Sequence, residues 1–345
     1  MPPPKDAGVD AGSRSAMAVI GAGSWGTALA VHLARTIGRA VLWGLAPPEM
    51  TDLARDRVNQ RYLPEAPFPA SLEIVTTLEA AVRGADELLV AVPSHAFRAC
   101  LDQVAPLLRP GMRVAWATKG FELETGKLPH QVATEVLGMA VPTAVLSGPT
   151  FAREVGLGLP TAMTVASRDR DYAMELAQRL SGAHFRAYAS TDMIGVEVGG
   201  ATKNVLAIGA GISDGLGFGA NTRVALITRG LAEMMRLGVA LGANKDTFMG
   251  LTGLGDLVLT CTDNQSRNRR FGLALAAGKS SEEAQREIGQ VVEGVLAARA
   301  VTSVARTYRV EMPIAEQICR IIYEGAPPRE AVAALMGRAI KAETQ

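Results

Sequence analysis

Three glycines near the start of the chain have the spacing of a phosphate-binding loop. Gly21, Gly23 and Gly26 follow the short apolar run 17–20 and open a helical pattern that continues from Thr27. In such a loop the first glycine permits a tight turn, the second lets the backbone approach a pyrophosphate, and the third lets helix and strand pack closely. The free N–H groups at the helix start favour an anion. The loop therefore predicts a nicotinamide dinucleotide site; the alternative is a tight turn without a ligand.

A lysine interrupts an apolar, glycine-rich segment in the second half of the chain. Lys203 and Asn204 lie within the helical pattern 195–209, where a lysine must be paired or functional. Burial and a second positive charge would lower its pKa, so that it could act as a general acid or base near neutral pH. The alternative is a structural lysine whose charged end reaches solvent. The glycines of this segment predict close backbone packing against the cofactor domain, because glycine otherwise disfavours a helix.

Two further segments carry groups that could serve this lysine. Asp256 and Thr260 are four residues apart, so they share a face if the segment is helical, and Asp256 could orient an ammonium group. The alternative for Asp256 is a helix N-cap. Lys119 follows the strand pattern 113–118, and strand ends of this kind face a ligand crevice. A solvated surface lysine is the alternative there.

A run of donors at the start of a later helical pattern indicates an anion site. Ser266 suits an N-cap, Arg267 offers a planar fork for a phosphate dianion, and the helix start adds backbone donors. Asn268, Arg269 and Arg270 extend this polar run. The segment predicts an anionic group on the substrate, and the alternative is a solvated basic face.

Other candidates follow predicted strand ends. Gly148 and Thr150 lie in a turn after the strand pattern 143–147, where backbone N–H groups and the hydroxyl could face the crevice, although an ordinary turn fits equally well. His95 lies after the strand pattern 87–92. It could be a proton donor, or a loop residue that packs near the nicotinamide or caps the next helix.

The end of the second strand leaves the choice of cofactor open. NAD-specific sites often place an acid there to accept from the ribose 2′-OH, but this chain has Gly44 and Leu45. The nearest basic groups that could contact a 2′-phosphate are Arg55 and Arg57. The missing carboxylate slightly favours NADP, or the use of both NAD and NADP, over NAD alone.

The elements that must position these residues alternate between strands and helices in the first half of the chain, as in a doubly wound parallel sheet. Strands are predicted at 17–20, 40–44, 73–76, 87–92, 113–118, 143–147, 161–166 and 185–188. After residue 193 helical patterns dominate. We therefore predict an α/β fold: a dinucleotide-binding Rossmann domain over residues 17–192, then an all-helical substrate-binding domain over residues 193–345.

Bulk composition narrows the class of protein. The 345 residues are 48% hydrophobic and 20% charged, which is typical of a globular chain with a large core. A net charge of +1 argues against nucleic acid or an anionic membrane as the main partner. The three cysteines lack metal or disulfide spacing and fit a reducing compartment, so no metal site is predicted.

The ends and the longest apolar segments complete this picture. Residues 1–16 are rich in proline, glycine, alanine and serine, and are predicted to be a disordered extension rather than a secretory signal. The chain lacks the ~18 uninterrupted apolar residues of a membrane span. Apolar helices such as 225–235 would be hard to bury within one chain, which favours a homodimer.

Six blocks together resemble the bacterial NAD(P)-dependent glycerol-3-phosphate dehydrogenases. In chain order they read GAGSWGTALA, ATKGFE, SGPTFA, GGATKN, GLGDLVLT and NQSRNRRFG. The resemblance runs from about residue 17 to about residue 341. It implies a cytosolic enzyme that interconverts dihydroxyacetone phosphate and sn-glycerol 3-phosphate with NAD or NADP, and a supply of glycerol 3-phosphate for phospholipid synthesis.

The resemblance also implies roles for single residues. Lys203 matches the family's proton acceptor, and Thr260 resembles a threonine that supports this lysine in related enzymes. Catalytic roles are thereby predicted for Lys203, Lys119, Asp256 and Thr260. The implied substrate site comprises Lys119, Gly148, Thr150, Lys203, Asp256, Ser266, Arg267 and Asn268. The implied cofactor contacts beyond the three glycines are Ser24, Trp25, Lys119, Ala152, Arg267, Val291 and Glu293.

One departure and two alternatives accompany this resemblance. The family usually has Arg or His where this chain has Leu45, which puts the ribose or 2′-phosphate contact in doubt. A related β-hydroxyacid dehydrogenase would share the glycine loop and the lysine but would need the anion-binding run less. A non-catalytic dinucleotide sensor would keep the loop but need no convergent lysines.

Overall fold

The computed structural model describes residues 16–340 and 342, so residues 1–15 of the predicted extension lie outside the described residues. The described part contains eight strands. They are β1 (Met17–Ile20), β2 (Ala40–Trp43), β3 (Leu72–Ile74), β4 (Glu87–Val90), β5 (Arg113–Trp116), β6 (Thr143–Ser147), β7 (Thr161–Ala166) and β8 (Phe185–Ser190).

All eight strands form one sheet in the order β3-β2-β1-β4-β5-β6-β7-β8. From β1 the chain builds outward to β3 on one side and from β4 to β8 on the other, so a crevice opens at the carboxyl ends of β1 and β4. This confirms the predicted doubly wound fold. The pairing of β6 with β7 is antiparallel, with Leu146 opposite Val165, so the sheet is mixed rather than wholly parallel.

Fifteen α-helices accompany the sheet within the described residues. They are α1 (Ser24–Thr36), α2 (Pro47–Asp56), α3 (Leu78–Arg83), α4 (Ser94–Val104), α5 (Pro129–Leu137), α6 (Ala152–Leu157), α7 (Arg170–Leu180), α8 (Met193–Gly215), α9 (Ala220–Ala240), α10 (Asp256–Thr262), α11 (Arg267–Ala276), α12 (Ser281–Ile288), α13 (Glu293–Thr307), α14 (Pro313–Glu324) and α15 (Pro328–Met336). None of them is long and apolar enough to cross a membrane.

Both faces of the sheet are covered by helices. Successive side chains of β1 point to opposite faces, so Val19 packs in one core with α1 and α7, and Ile20 packs in another with α3, α4 and α5. A third core joins the helices after residue 193 around α8. Parallel strands buried on both faces explain why the strand segments are continuously apolar.

The central helix α8 is buried almost throughout, and its glycines explain how. A Cβ on Gly211 would lie 2.0 Å from the carbonyl oxygen of Arg269, and a Cβ on Gly272 would lie 2.1 Å from that of Ile208. The backbones of α8 and α11 therefore touch. Packing against the cofactor domain, the predicted reason for these glycines, holds for Gly200, which lies against Ser147 and Lys119. Gly199 and Gly209, also in the predicted segment, instead lie against Thr252 and Ile318, and Gly211 against Arg269, so they serve contacts within the helical region.

Most predicted elements lie within a few residues of the observed bounds, but three helices carry no sequence prediction, and α10 is predicted only as a possible helix. Of these, α2 and α5 begin with Pro47 and Pro129, at positions where the missing N–H costs nothing because it would have no helical partner. The third, α6, spans six residues. It is too short for a helical period to stand out.

Candidate active site

The glycine loop connects β1 to α1 as a cradle of backbone. Gly21 has φ +122°, a left-handed conformation that favours glycine, and its N–H donates to the Trp43 carbonyl at 2.8 Å. A Cβ on Gly26 would lie 1.8 Å from the Gly21 carbonyl oxygen, whereas one on Gly23 would meet nothing within 4 Å. No side chain caps the start of α1. The loop thus leaves open space and free N–H groups, which fits a pyrophosphate.

The indole of Trp25 supports the same interpretation. Its Nε1–H is buried and has no hydrogen-bond partner among the described residues. Unpartnered buried donors call for an explanation, and a polar group of a bound dinucleotide would satisfy this one. Ser24 and Trp25 form the first turn of α1, directly after the open position of Gly23.

Two alanine substitutions distinguish the role of the loop in cofactor binding from its role in backbone packing. We expect Gly23→Ala to lower cofactor affinity at least tenfold with little change in melting temperature, because the methyl group enters open space where the pyrophosphate would lie. We expect Gly26→Ala to lower both, because its methyl group collides with backbone. Calorimetric titration with NADH and NADPH plus thermal melting measures both quantities. Unchanged cofactor affinity in Gly23→Ala would show that the ligand lies elsewhere.

The two arginines near the end of β2 are both engaged with protein groups. Arg57 donates to the carbonyls of Leu72 and Pro69, and Arg55 forms ion pairs with Asp52 and Asp56. Leu45 is 81% exposed and contributes no charge. This edge of the sheet therefore offers neither a carboxylate for a ribose hydroxyl nor an arginine free of protein partners at these positions.

Two lysines and one aspartate form a buried ion cluster between the sheet and the helical region. Asp256 accepts from Lys119 Nζ at 3.0 Å through one oxygen and from Lys203 Nζ through the other. Lys203 also lies 3.2 Å from the Thr260 hydroxyl. Asp256 is 1% exposed and Lys203 is 7% exposed. The structure thus brings together all four residues predicted to be catalytic.

Three elements place these side chains. Lys119 follows the carboxyl end of β5, Lys203 lies in α8, and a π-helical turn (Leu251–Gly255) leads into α10, which begins at Asp256. The N-cap of α10 is Gly255, so the alternative interpretation of Asp256 as an N-cap is wrong. Asp256 is instead the partner of the two lysine ammonium groups. The Thr260 hydroxyl donates to the Asp256 carbonyl at 2.5 Å, so the two share a face of α10.

Burial controls the protonation of this cluster. The pKa of Lys203 is lowered to about 8: desolvation is the largest cause, the charge of Lys119 acts in the same direction, and Asp256 opposes both. The pKa of Asp256 is lowered because the attraction of the two lysines outweighs its burial. Asp256 therefore stays ionised, while Lys203 can gain or lose a proton near neutral pH.

The predicted anion site lies at the start of α11. Ser266 caps the helix by accepting from the Arg269 N–H at 3.2 Å, and Arg267 donates to Gln290 at 3.4 Å. Arg269 has a structural role instead: it is buried, pairs with Asp214 and donates to a backbone carbonyl. Of the three arginines of this run, Arg267 is the one suited to a ligand.

Asn268 connects this anion site to the lysine. Its side-chain oxygen accepts from the Gly294 N–H at 2.9 Å. A Cβ on Gly294 would lie 2.8 Å from the Asn204 carbonyl oxygen, so Gly294 lies between Asn268 and the turn of α8 that follows Lys203. Asn204 in turn donates to Glu293 at 3.2 Å. The start of α11 and the turn of α8 that carries Lys203 and Asn204 thus belong to one region.

The remaining candidates lie at the ends of strands and helices. Gly148 has φ +155°, and the Thr150 hydroxyl donates to its carbonyl at 3.3 Å in the turn after β6. Ala152 begins α6. Val291 is exposed beside Glu293, the first residue of α13. His95 is exposed in the first turn of α4 and lines a small cleft with Lys119, Asn204 and Glu293.

Sequence reasoning missed Gln290, the partner of Arg267. It lies in the loop between α12 and α13, and nothing in the local sequence separates it from any exposed loop glutamine. Only the tertiary fold shows that it lies beside α11.

A glycine loop at the carboxyl edge of a doubly wound sheet, with a buried lysine of the helical region held at the same edge through Asp256 and Lys119, is typical of a nicotinamide-dinucleotide-dependent dehydrogenase. Two sequence families match this chain: the N-terminus of NAD-dependent glycerol-3-phosphate dehydrogenase over residues 16–173, and the C-terminus of the same enzyme over residues 192–333. The chain belongs to the NAD-dependent glycerol-3-phosphate dehydrogenase family. This confirms the resemblance carried by the six blocks and favours it over the β-hydroxyacid dehydrogenase and sensor alternatives.

Individual relatives agree with this assignment. The chain is 57% identical over 324 residues to a protein of Aeromonas salmonicida named glycerol-3-phosphate dehydrogenase [NAD(P)+], covering 94% of this chain and 97% of that protein. It is 56% identical over 330 residues to the Escherichia coli protein of the same name, covering 95% and 97%. The crystal structure of glycerol-3-phosphate dehydrogenase from Coxiella burnetii matches with a TM-score of 0.91 and 47% identity, covering 94% of this chain and 99% of that chain.

Proposed function

We propose that the protein interconverts sn-glycerol 3-phosphate and dihydroxyacetone phosphate with NAD or NADP. The observation that carries this proposal is the buried Lys203, paired with Asp256 and Lys119, close to the anion site at the start of α11. A proton-transferring amine beside a phosphate-binding helix start suits a small phosphorylated ketone or alcohol.

Lys203 handles the proton at the C2 oxygen of the substrate. As an ammonium it donates to the carbonyl oxygen during reduction, and as a neutral amine it accepts from the hydroxyl during oxidation. Asp256 and Thr260 orient the amine through their contacts with Nζ. Lys119 places a second positive charge beside the developing oxyanion, which stabilises it in a site of low dielectric.

The substrate phosphate is held by Ser266, Arg267 and Asn268. Arg267 supplies the charge and the planar fork, and the start of α11 supplies backbone donors. Gly148 and Thr150 contact the substrate from the turn after β6.

The dinucleotide would be held by the glycine loop at the carboxyl ends of the strands. Its nicotinamide ring supplies the hydride chemistry when bound. The residues that would hold it are Gly21, Gly23, Ser24, Trp25, Gly26, Lys119, Ala152, Arg267, Val291 and Glu293. Residues 17–192 then form the cofactor domain and residues 193–345 the substrate domain.

The test is a turnover assay with purified protein and dihydroxyacetone phosphate, run in parallel with NADH and NADPH. We expect loss of the reduced-cofactor absorbance, and the ratio of the two rates measures cofactor preference at the site with Leu45. Binding of either cofactor without turnover of the phosphorylated ketone would overturn the proposal.

The two directions of the reaction should depend on pH with opposite sign. Reduction needs the Lys203 ammonium, so its kcat/KM should fall as the pH rises through about 8. Oxidation needs the neutral amine, so its kcat/KM should rise through the same pH. Initial rates in both directions over one series of buffers measure this. A shared direction of change would remove Lys203 as the proton-transferring group.

The proposal also includes a cytoplasmic location and a role in supplying glycerol 3-phosphate for phospholipid synthesis.

We further propose that the protein is a homodimer. A groove of about 1260 Å³ runs along α9, α14 and α15, away from the lysine cluster. It is lined by apolar side chains that include Leu226, Met235 and Val239. A second copy of the chain would cover this face. Sedimentation velocity of the wild type and of Met235→Glu tests it: a wild-type monomer would exclude the dimer.

A further inference from the structure

A second buried carboxylate lies in α8, outside the cluster described above. Glu197 accepts from the Trp116 Nε1–H at 3.0 Å and from the His130 backbone N–H at 2.9 Å through one oxygen. Its other oxygen lies 2.5 Å from His130 Nδ1. Two N–H donors and a histidine ring nitrogen thus converge on one side chain that none of the proposed chemistry uses.

These contacts join α8 to two elements of the sheet domain. Trp116 is the last residue of β5, three residues before Lys119, and its ring is fully buried. His130 is the second residue of α5. Glu197 therefore connects the helix that carries Lys203 to the strand that presents Lys119.

The position of α8 on β5 decides how the two lysines meet. One turn after Glu197, a Cβ on Gly200 would lie 3.2 Å from the Ser147 hydroxyl and 3.4 Å from Lys119 Cγ. Lys203 follows three residues later, on the adjoining part of the helix surface. A rotation or slide of α8 against β5 would therefore change the separation of both ammonium groups from Asp256.

A carboxylate is a costly way to pack this contact. Its burial raises the pKa of Glu197, and an apolar side chain of similar size would avoid that cost. Apolar contacts are not directional, however, whereas hydrogen bonds to Trp116 and His130 fix both the height and the rotation of the helix. Glu197 therefore fixes the position of α8 at a cost in the free energy of folding.

We propose that Glu197 is a positioning residue for the reaction: by holding Trp116 and His130 it sets α8 against β5, so that Lys203 and Lys119 both reach Asp256. The inference rests on the proposed function. It also explains why a single acid lies in an otherwise apolar turn of α8.

Three variants test it. Glu197→Ala removes the contacts, Glu197→Gln keeps the size and one oxygen acceptor, and Trp116→Phe deletes the indole donor together with part of a buried ring. Tyr172→Phe is the matched control, because the Tyr172 hydroxyl donates to the buried Glu87 at the opposite ends of the strands, away from the lysines. For each variant we would measure kcat, KM, melting temperature and the pH dependence of kcat/KM. The pH dependence of Lys203 acetylation, followed by mass spectrometry, reports on the same amine without turnover.

We expect Glu197→Ala to lower kcat roughly tenfold to a hundredfold, since small misplacements of catalytic groups cost this much. The pKa of Lys203 should shift in both readouts, Trp116→Phe should show a smaller change of the same kind, and Glu197→Gln should restore most of kcat. Tyr172→Phe should alter only the melting temperature. If Glu197→Ala does not fold, the kcat and the Lys203 pKa of Trp116→Phe and Glu197→Gln test the proposal instead.

A different pattern would overturn the inference. If Glu197→Ala and Trp116→Phe melt earlier but keep wild-type kcat and the wild-type Lys203 pKa, Glu197 is merely structural. If the wild type itself fails to turn over dihydroxyacetone phosphate, the proposed function fails, and the acetylation profile still decides whether Glu197 positions Lys203.

Discussion

Lys203→Ala is expected to lower kcat by roughly 10²–10⁴-fold in both directions, with cofactor affinity nearly unchanged. The variant removes the only described amine that contacts both Asp256 and Thr260. The fold should survive, because Asp256 keeps its contact with Lys119 at 3.0 Å and so is not left as an unpaired buried charge. The glycine loop, which we assign to the cofactor, lies on β1 and α1 and does not involve α8.

The measurement is steady-state turnover combined with calorimetric titration of the cofactor. Lys279→Ala is the control, since Lys279 is a partly exposed lysine that pairs with Glu287 in the helical region. It should turn over like the wild type. An active Lys203→Ala enzyme would remove the proposed mechanism, and a loss of cofactor binding would indicate that Lys203 holds the dinucleotide instead.

Arg267→Ala should raise the KM for the phosphorylated substrate roughly tenfold to a hundredfold, which corresponds to one or two lost hydrogen bonds to a charged group. Arg267 is half-buried at the start of α11, and its described partner is the neutral Gln290 at 3.4 Å. No carboxylate of the described residues forms an ion pair with it, so its charge is available to a phosphate. The change in kcat should be the smaller effect.

Arg270→Ala serves as the matched control, because Arg270 is exposed on the same helix three residues later. Its KM should equal that of the wild type. A second comparison uses dihydroxyacetone, which lacks the phosphate. Arg267→Ala should have nearly the same activity as the wild type toward this weak substrate. An unchanged KM for the phosphorylated substrate would place the phosphate site elsewhere.

Local spacing was enough to predict the sheet and the glycine loop. The strands β1 and β6 begin and end where the apolar pattern does, because buried parallel strands must be apolar on both faces. The glycine loop is equally local, since strand, turn and helix follow one another within ten residues. The antiparallel partner of β6 was not predictable in the same way, because strand direction depends on how the chain returns to the sheet.

The ion cluster shows where such reasoning ends. Lys119, Lys203 and Asp256 each had two interpretations from local sequence, and only the fold brings them within hydrogen-bond distance. The arginine run shows the opposite case, in which residues close together in sequence have different surroundings in the fold. Arg267, Arg269 and Arg270 lie within four residues of one another, but a helix turns by about 100° per residue. Arg269 is therefore buried and Arg270 exposed, while Arg267, which we assign to the phosphate, is half-buried.

The backbone contact between α8 and α11 has a consequence for which molecules the enzyme accepts. Because Gly211 and Gly272 let the two helices touch, Lys203 on one and Arg267 on the other belong to a single stiff unit. In the proposed site, the distance between the phosphate group and the reacting carbon is therefore fixed, so the two side chains select substrates by length. A phosphorylated ketone with one more carbon between these two points would bind out of register with the amine.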